Sequence, residues 1–376
     1  MTRHFPTIII ALGLLSLSSC SKNLQQLKDQ SSAKNIILLI GDGMGLTQVS
    51  TAYYYGEDTP NFSRFKHIGL HQNEPIGKKI TDSASGATAF STGYKSYNAA
   101  IGVDGDTIPR ETILEWAAEN GKSTGVIATS SITHATPASF YAHVENRNWH
   151  EDIAADLVKA PVDFAAGGGH KYFSDRTDQV NLLAQLEEKQ VAVDTNTLGT
   201  DLQPGKKYAF LLAPDAMPTM QAGRGNFLPE ATTAALNHLS KDQDGFFLMV
   251  EGSQIDWGGH ANDADYVINE VLDFDKVIGI ALDFAKRDGN TLVVVTADHE
   301  TGGLSLSAAE AFGQREYGVI KPTFSTGGHS ATLIPVFAYG PGSEEFLGIY
   351  QNNAIYGKMM KAFANDEAPR LELTSK

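Results

Sequence analysis

The chain has one cysteine, Cys20, in 376 residues. An intramolecular disulfide is excluded, and so is any zinc or iron–sulfur site built on thiolates. A metal held by this protein has to be held by His, Asp and Glu. Positive charge is also scarce: 29 Lys and Arg against 44 Asp and Glu give a formal net charge of −15. Such a surface repels a phosphate backbone, which excludes nucleic-acid binding as the default function; a small anion needs only a locally positive pocket. The apolar run near the amino terminus, residues 7–17 (TIIIALGLLSL), is too short to span a bilayer as a helix. The chain also lacks a low-complexity linker, a like-charge block, a fixed-period repeat and the Gly-rich Lys loop of nucleoside triphosphatases.

What residues 7–17 do have is the length of a secretory h-region, after a short polar start with Arg3 and His4. The run ends in Leu17-Ser18-Ser19-Cys20, which resembles a bacterial lipobox. Residues 1–19 are therefore expected to be a lipoprotein-type signal peptide. Residues 20–34 would form a lipidated cysteine and polar tether, and residues 35–376 a single domain. Cleavage removes Arg3 and no acid, so the mature charge becomes −16. The expected location is the periplasm or cell envelope, with membrane contact only through Cys20.

Short apolar runs recur along the rest of the chain, each followed by a turn rich in Gly, Ser or Asp and then a helical pattern. They are Asn35–Ile40, Gly125–Ala128, Val162–Ala166, Phe246–Val250, Leu292–Thr296 and Leu333–Tyr339. Continuous rather than alternating hydrophobicity predicts strands buried on both faces. Residues 262–287 carry Val267, Val271, Phe274, Ile278 and Ala281 at intervals of three or four, with Gly289 as a stop. This predicts an amphipathic helix whose acidic residues form a solvated face. The fold class expected is α/β, a three-layer sandwich with a mostly parallel central β-sheet flanked by helices.

In such sheets ligands bind beyond the carboxyl ends of the strands. Asp42 follows NIILLIG, Glu251 follows FFLMV, and Asp298-His299 follows TLVVVTA. A carboxylate at the end of a buried strand is costly unless something pairs with it. Helix capping accounts for one such Asp. It accounts poorly for three on three strands, joined by His260 and His329 in the Gly-rich stretches WGGHAND and STGGHSA. Asp42, Glu251, Asp256, Asp298, His260, His299 and His329 are enough for two or three metal sites. Oxygen and imidazole donors without thiolate suit Zn²⁺, Mn²⁺ or Mg²⁺. Asp256 and His260 are four apart, but the two glycines between them predict an irregular segment rather than a helix. The pattern as a whole points to a multi-metal hydrolase.

Residues 81–89 (TDSASGATA) are small and hydroxyl-bearing and open a predicted helix. A serine there is ordinarily a cap. The same place binds anions through free N–H groups and the helix dipole, so a metal-activated serine would have its phosphate cradle beside it.

Six ordered motifs carry a resemblance to a known family: GDGMG (41–45), TDSASGATAFSTG (81–93), THATPASFYAHVENR (133–147), VEGSQIDWGGH (250–260), TADHETGG (296–303) and STGGHSA (325–331). The chain resembles the alkaline phosphatases, and among them the compact bacterial enzymes. The resemblance implies the fold already predicted and hydrolysis of phosphate monoesters. It implies that Ser83 is the nucleophile that becomes phosphoserine and that Arg147 grips two phosphate oxygens in a bidentate fork. Asp256, His260 and His329 would hold one zinc, and Asp42, Asp298 and His299 a second. Asp42 would also bridge to a third site, usually Mg²⁺, completed by Thr136 and Glu251. Homodimers are common in the family.

Two positions depart from one pattern found in the family. His134 stands where some members have Asp, and Trp257 where they have Lys. The lost cation implies weaker binding of product phosphate, and His134 leaves Zn²⁺ as a competitor for Mg²⁺ nearby. His143 and His150 are expected to pack around the site without a ligand role, and Gly167–His170 to be a plain turn. Three other functions compete with this one. Thr136 and Glu251 argue against a phosphodiesterase of the same superfamily, because the third site they complete is typical of monoesterases. A sulfatase would need a C/S-x-P-x-R setting, whereas Ser83 is followed by Ala-Ser-Gly. A non-catalytic, lipid-anchored phosphate-binding protein would not need the nucleophile. The 29 residues between His299 and His329 leave room for only a modest insertion.

Overall fold

The structure is a computed structural model that describes Met1 and residues 32–311 and 314–364. The signal peptide, Cys20 and most of the tether expected from the sequence lie outside the described residues. Ten strands form one sheet in the order β14-β2-β13-β8-β1-β7-β3-β4-β6-β5. They are β1 (Asn35–Gly41), β2 (His67–Gln72), β3 (Ser123–Ser131), β4 (Phe164–Gly168), β5 (Val191–Asp194), β6 (Lys207–Leu211), β7 (Phe246–Gly252), β8 (Thr291–Thr296), β13 (Ile334–Tyr339) and β14 (Gly348–Gln351). All neighbours pair in parallel except β13, which is antiparallel to both β8 and β2.

The continuous apolar runs are the centre of this sheet. Every residue of β1 is buried; Ile36, Leu38 and Ile40 pack into one hydrophobic cluster and Ile37 and Leu39 into another. Those two clusters are the two faces of the sheet, each covered by helices, which is why the run does not alternate with polar residues. The helix Ala264–Asp288 supplies one cover. Asp263 caps it by accepting from the Tyr266 N–H, and Gly289 ends it at φ 78°. Val267, Val271, Phe274, Ile278 and Ala281 are all buried against the sheet, as their spacing predicts.

The outer strands were not legible as strands. β2 (HIGLHQ), β5 (VAVD) and β14 (GIYQ) are short and partly exposed, so neither a continuous nor an alternating apolar run marks them. Gly167 and Gly168 close β4 rather than forming a free turn; Gly169 turns the chain at φ 104°. Between His299 and His329 lie β9 (Glu300–Thr301) and an exposed ribbon of β10 (Leu304–Ala311) and β11 (Gln314–Phe324); β12 (His329–Ser330) then pairs with β9. This agrees with the modest insertion expected there.

The acidic residues of Ala264–Asp288 correct one expectation. Glu270, Asp273 and Asp275 are buried rather than solvated. Arg224, whose side chain is wholly buried, bonds both Glu270 and Asp273, and Asp275 accepts from the backbone of Asn61 and Phe62. The partners come from segments distant in sequence, so helical periodicity alone could not place these acids.

Candidate metal centre and active site

Three central strands deliver their acids to the same end of the sheet. β1 pairs with β7 up to Gly41↔Gly252 and with β8 up to Ile40↔Thr296, so Asp42, Glu251 and Asp298 arrive side by side. All three are fully buried. Close approach of the next turn depends on Gly43, at φ 72°, where a Cβ would sit 2.7 Å from Asp256 Cα.

Asp256 and His260 correct a second expectation, because they lie on a regular helix, Gln254–Ala261. The glycines weaken its intrinsic propensity, but they are what lets it pack. A Cβ on Gly258 would lie 2.8 Å from the Val267 backbone N, and one on Gly259 2.8 Å from the Thr301 carbonyl. Tertiary packing overrides propensity here, and the i,i+4 spacing then does place both side chains on one face.

The ligands meet in three groups, in each of which one donor atom per residue lies within 4.8 Å of the others: Asp256, His260 and His329; Asp42, Asp256 and His299; and Asp42, His134 and Glu251. The first is the predicted set. His260 Nδ1 lies 2.8 Å from the Gly327 carbonyl, and His329 Nδ1 2.8 Å from the Thr81 carbonyl. Each Nδ1 must carry a proton to donate, which leaves both Nε2 atoms as lone pairs, 3.2 Å apart. Two lone pairs at that distance repel unless a cation lies between them. In the second group Asp256 takes the position the sequence reading gave to Asp298. Asp298 still turns Oδ2 to within 3.3 Å of His299 Nε2. His134 joins the third group, and Thr136 follows two residues later in the short helix Ala135–Ala138 with its hydroxyl unpartnered.

The donor set fits metal ions on the structure's own terms. Among the described residues, the buried polar atoms without a hydrogen-bond partner include both oxygens of Asp42, Oε1 of Glu251, Oδ2 of Asp298, Oγ1 of Thr136 and Nδ1 of His134. Buried acceptors left bare cost about 1–3 kcal/mol each, more when charged. Without a cation the cluster repels itself. Burial, then the charges of Asp298, Asp256 and Glu251, push the Asp42 carboxyl well above its usual range. Burial also raises Glu251, to about 7, although a hydrogen bond from Ser253 opposes it. His134 is held neutral, its pKa lowered to about 3 by burial and by Arg147 and His150. His299 is likewise lowered, first by burial and then by His329.

Ser83 opens the helix Ser83–Thr92, as the run of small residues predicts. Asp82, not Ser83, is the cap, accepting from the Ser85 N–H. Ser83 is thereby free, and its Oγ lies 3.3 Å from His299 Nε2. Arg147 is half-buried; Nη1 donates to Asp82 at 3.1 Å and Nη2 lies 3.5 Å from His134 Nε2. Trp257 packs edge-on to His134, with ring centroids 5.9 Å apart. His143 and His150 bond Glu115 and Thr133 and enter none of the three groups.

The sequence reading assigned no role to Asp82, which orients both Arg147 and the serine helix, or to Thr301. The Thr301 hydroxyl donates to Asp256 Oδ1 at 2.5 Å and lies 3.1 Å from His299 Nδ1, joining the first two groups. Adjacency to Ser83 was the available signal for Asp82. For Thr301 there was none beyond its place in TADHETGG.

The alkaline phosphatase family model matches residues 33–322. The chain belongs to the alkaline phosphatase family. It is accordingly a phosphate monoester hydrolase. It is 34% identical to alkaline phosphatase 3 of Bacillus subtilis, over 89% of this chain and 90% of that one. Among solved structures it is similar to the alkaline phosphatase from the Antarctic bacterium TAB5, at 57% identity and a TM-score of 0.87, covering 89% of this chain and 98% of that one. It is also similar to a cold-active alkaline phosphatase from a psychrophilic Shewanella, at 31% identity and TM-score 0.80, over 87% and 99%. Two variants of the TAB5 enzyme, with one histidine replaced by Glu or by Asp, hold Mg in a site called M3.

Proposed function

We propose that this phosphatase works through a phosphoserine at Ser83, with two zinc ions and one magnesium ion. The observation that carries the reading is the exposed chemistry of one buried point. Ser83 Oγ sits 3.3 Å from His299 Nε2, beside carboxylate oxygens that have no partner of their own. Asp256, His260 and His329 would hold one zinc, Asp42, Asp298 and His299 the other, and Asp42, Thr136 and Glu251 the magnesium. Bound there, the ions would supply positive charge for the phosphate and for the attacking and leaving oxygens.

The chain's own residues do the rest. The helix that starts at Ser83 directs its positive dipole end at the phosphate. Arg147 commits one N–H to Asp82 and keeps the remaining donors of its fork for the equatorial oxygens, where a loose transition state gathers charge. In the first step the Ser83 hydroxyl gives up its proton, Oγ bonds to phosphorus, and the ester oxygen leaves as the alcohol on taking up a proton. In the second, water gives up a proton and bonds to phosphorus, and Ser83 Oγ leaves and regains its proton. Two displacements give net retention at phosphorus and allow transfer to an alcohol such as Tris. Small phosphate monoesters are the substrates. The same reading includes export, a lipid anchor at Cys20 and a homodimer.

The test is hydrolysis of p-nitrophenyl phosphate against bis-p-nitrophenyl phosphate between pH 7 and 10. Each is run with Zn²⁺ plus Mg²⁺, after EDTA, and with Ser83→Ala. Monoester preference lost with EDTA, and lost by a factor on the order of 10³ or more with Ser83→Ala, supports the mechanism. Diester preference makes it a phosphodiesterase. No turnover by folded, metal-loaded protein makes it a binding protein.

A further inference from the structure

Glu251 is the buried acid of the third group, and its two oxygens are not equivalent. Oε1 has no hydrogen-bond partner. Oε2 accepts from the Ser253 hydroxyl at 2.6 Å and faces the Ser130 hydroxyl at 3.3 Å. The first distance is that of a charge-assisted O–H···O⁻ bond. Ser253 has one proton to give, Glu251 Oε2 at 2.6 Å is a closer acceptor for it than Ser130 Oγ at 3.0 Å, and the Ser253 oxygen accepts the Ser130 N–H at 2.9 Å. Its own N–H donates to Thr129 Oγ1, also at 2.9 Å. Ser253 is therefore fixed from three sides by the ends of β3 and β7, and it has no exposed surface. Oε2 is thus taken up by the two serines, and Oε1 is the oxygen left for an ion.

We infer that Ser253, supported by Ser130, is a positioning residue that makes Glu251 a one-oxygen ligand and so selects a small cation over a large one at the third site. Calcium takes six to eight oxygens and commonly a bidentate Glu; magnesium needs a compact octahedron and keeps several waters. A carboxylate with one oxygen held by a serine serves the second ion and not the first. Partners of metal ligands are typically worth 10–100-fold in affinity, because they fix which lone pair faces the metal. The inference rests on the third site proposed above.

The test measures bound metal rather than turnover. Zinc-loaded wild-type protein, Ser253→Ala and Ser130→Ala are dialysed against equal Mg²⁺ and Ca²⁺ over a range of concentrations. Bound metal is read by plasma emission, and thermal midpoints are recorded in parallel. Wild-type protein is expected to take one Mg²⁺ and little Ca²⁺. Ser253→Ala should weaken Mg²⁺ by about 10–100-fold and raise the Ca²⁺ share. Ser130→Ala keeps the main Glu251 bond and should shift the ratio in the same direction by less; it carries the test if Ser253→Ala does not fold. A variant that melts earlier but keeps the wild-type Mg²⁺ midpoint and Mg²⁺ to Ca²⁺ ratio overturns the inference and makes Ser253 merely structural. A wild-type protein that binds neither ion beyond its zinc overturns the third site itself, a separate result.

Discussion

Two clusters of buried acids stand on opposite terms in this molecule. In one, Arg224 lies between Glu270 and Asp273, all three side chains at 0–1% exposure, and the positive charge is the chain's own. In the other, Asp42, Glu251 and Asp298 are equally buried and bare oxygens remain on each, whereas in the first cluster Asp273 Oδ1 is the one bare carboxylate oxygen. Arg147 lowers the Asp42 pKa by its charge, too little to offset burial and the neighbouring acids, and its Nη1 donates to Asp82. The difference separates structure from function. A buried acid with a built-in partner holds two segments together, whereas acids that fold against their own repulsion have a place for a cation from outside.

The comparison breaks first at Asp42. Asp42→Asn should cost activity at least about 100-fold, since even the outer partners of metal ligands are worth 10–100-fold. Yet after EDTA the variant should melt higher than metal-free wild type at pH 8, because one repelling charge is gone. A lower melting point in EDTA would mean that Asp42 is held by partners within the chain.

Arg224→Met makes the mirror-image change. It leaves two acids buried without their cation and should cost about 3–5 kcal/mol of stability in urea denaturation. Bound metal and turnover per folded molecule should stay at wild-type levels. Loss of metal without loss of stability would merge the two clusters.

A smaller effect distinguishes either cluster from a half-buried pair. His143 lies 2.9 Å from Glu115, with both side chains about a fifth exposed. Burial lowers His143, but bonds to Glu115 and to the Gly102 carbonyl outweigh it and leave its pKa raised. For Glu115, burial raises the pKa, and the bonds from His143 and Thr112 together with the His143 charge more than reverse it. The charged pair therefore stabilises the fold above the ordinary Glu range and below the ordinary His range. The contribution is lost as pH rises through the folded-state pKa of His143. His143→Gln should cost under about 1 kcal/mol at pH 6 and less at pH 9, by urea midpoints at both. An equal cost at both would assign His143 to packing alone.

How much of this was legible follows from the same comparison. The central strands were, because burial on both faces writes an uninterrupted apolar run, as in NIILLI. The meeting of Asp42, Glu251 and Asp298 was, because parallel strands put their terminal acids together whatever lies between them in sequence. Asp256 with His260 was read as irregular because two glycines lower helix propensity, and only the contacts of Gly258 and Gly259 with Val267 and Thr301 show why they are there. Arg224 was missed because nothing local marks a cation that finds its acids 46 and 49 residues away. Ser253 and Thr301 were missed because a hydroxyl's partners appear only in three dimensions.

The most direct measurement is thermal denaturation of wild-type protein with excess Zn²⁺ and Mg²⁺ and with EDTA, at pH 5 and pH 8. Folding raises the pKa of Glu251 from 4.5 to about 7, and raises Asp42 as well. The metal-free native chain therefore binds more protons than the unfolded one across that interval, and its stability falls as pH rises through it. The metal-loaded chain has its carboxylates paired and escapes this loss. The gap between the two melting curves should widen from pH 5 to pH 8. Curves that coincide at pH 8 would contradict it, because the buried acids would then need no cation.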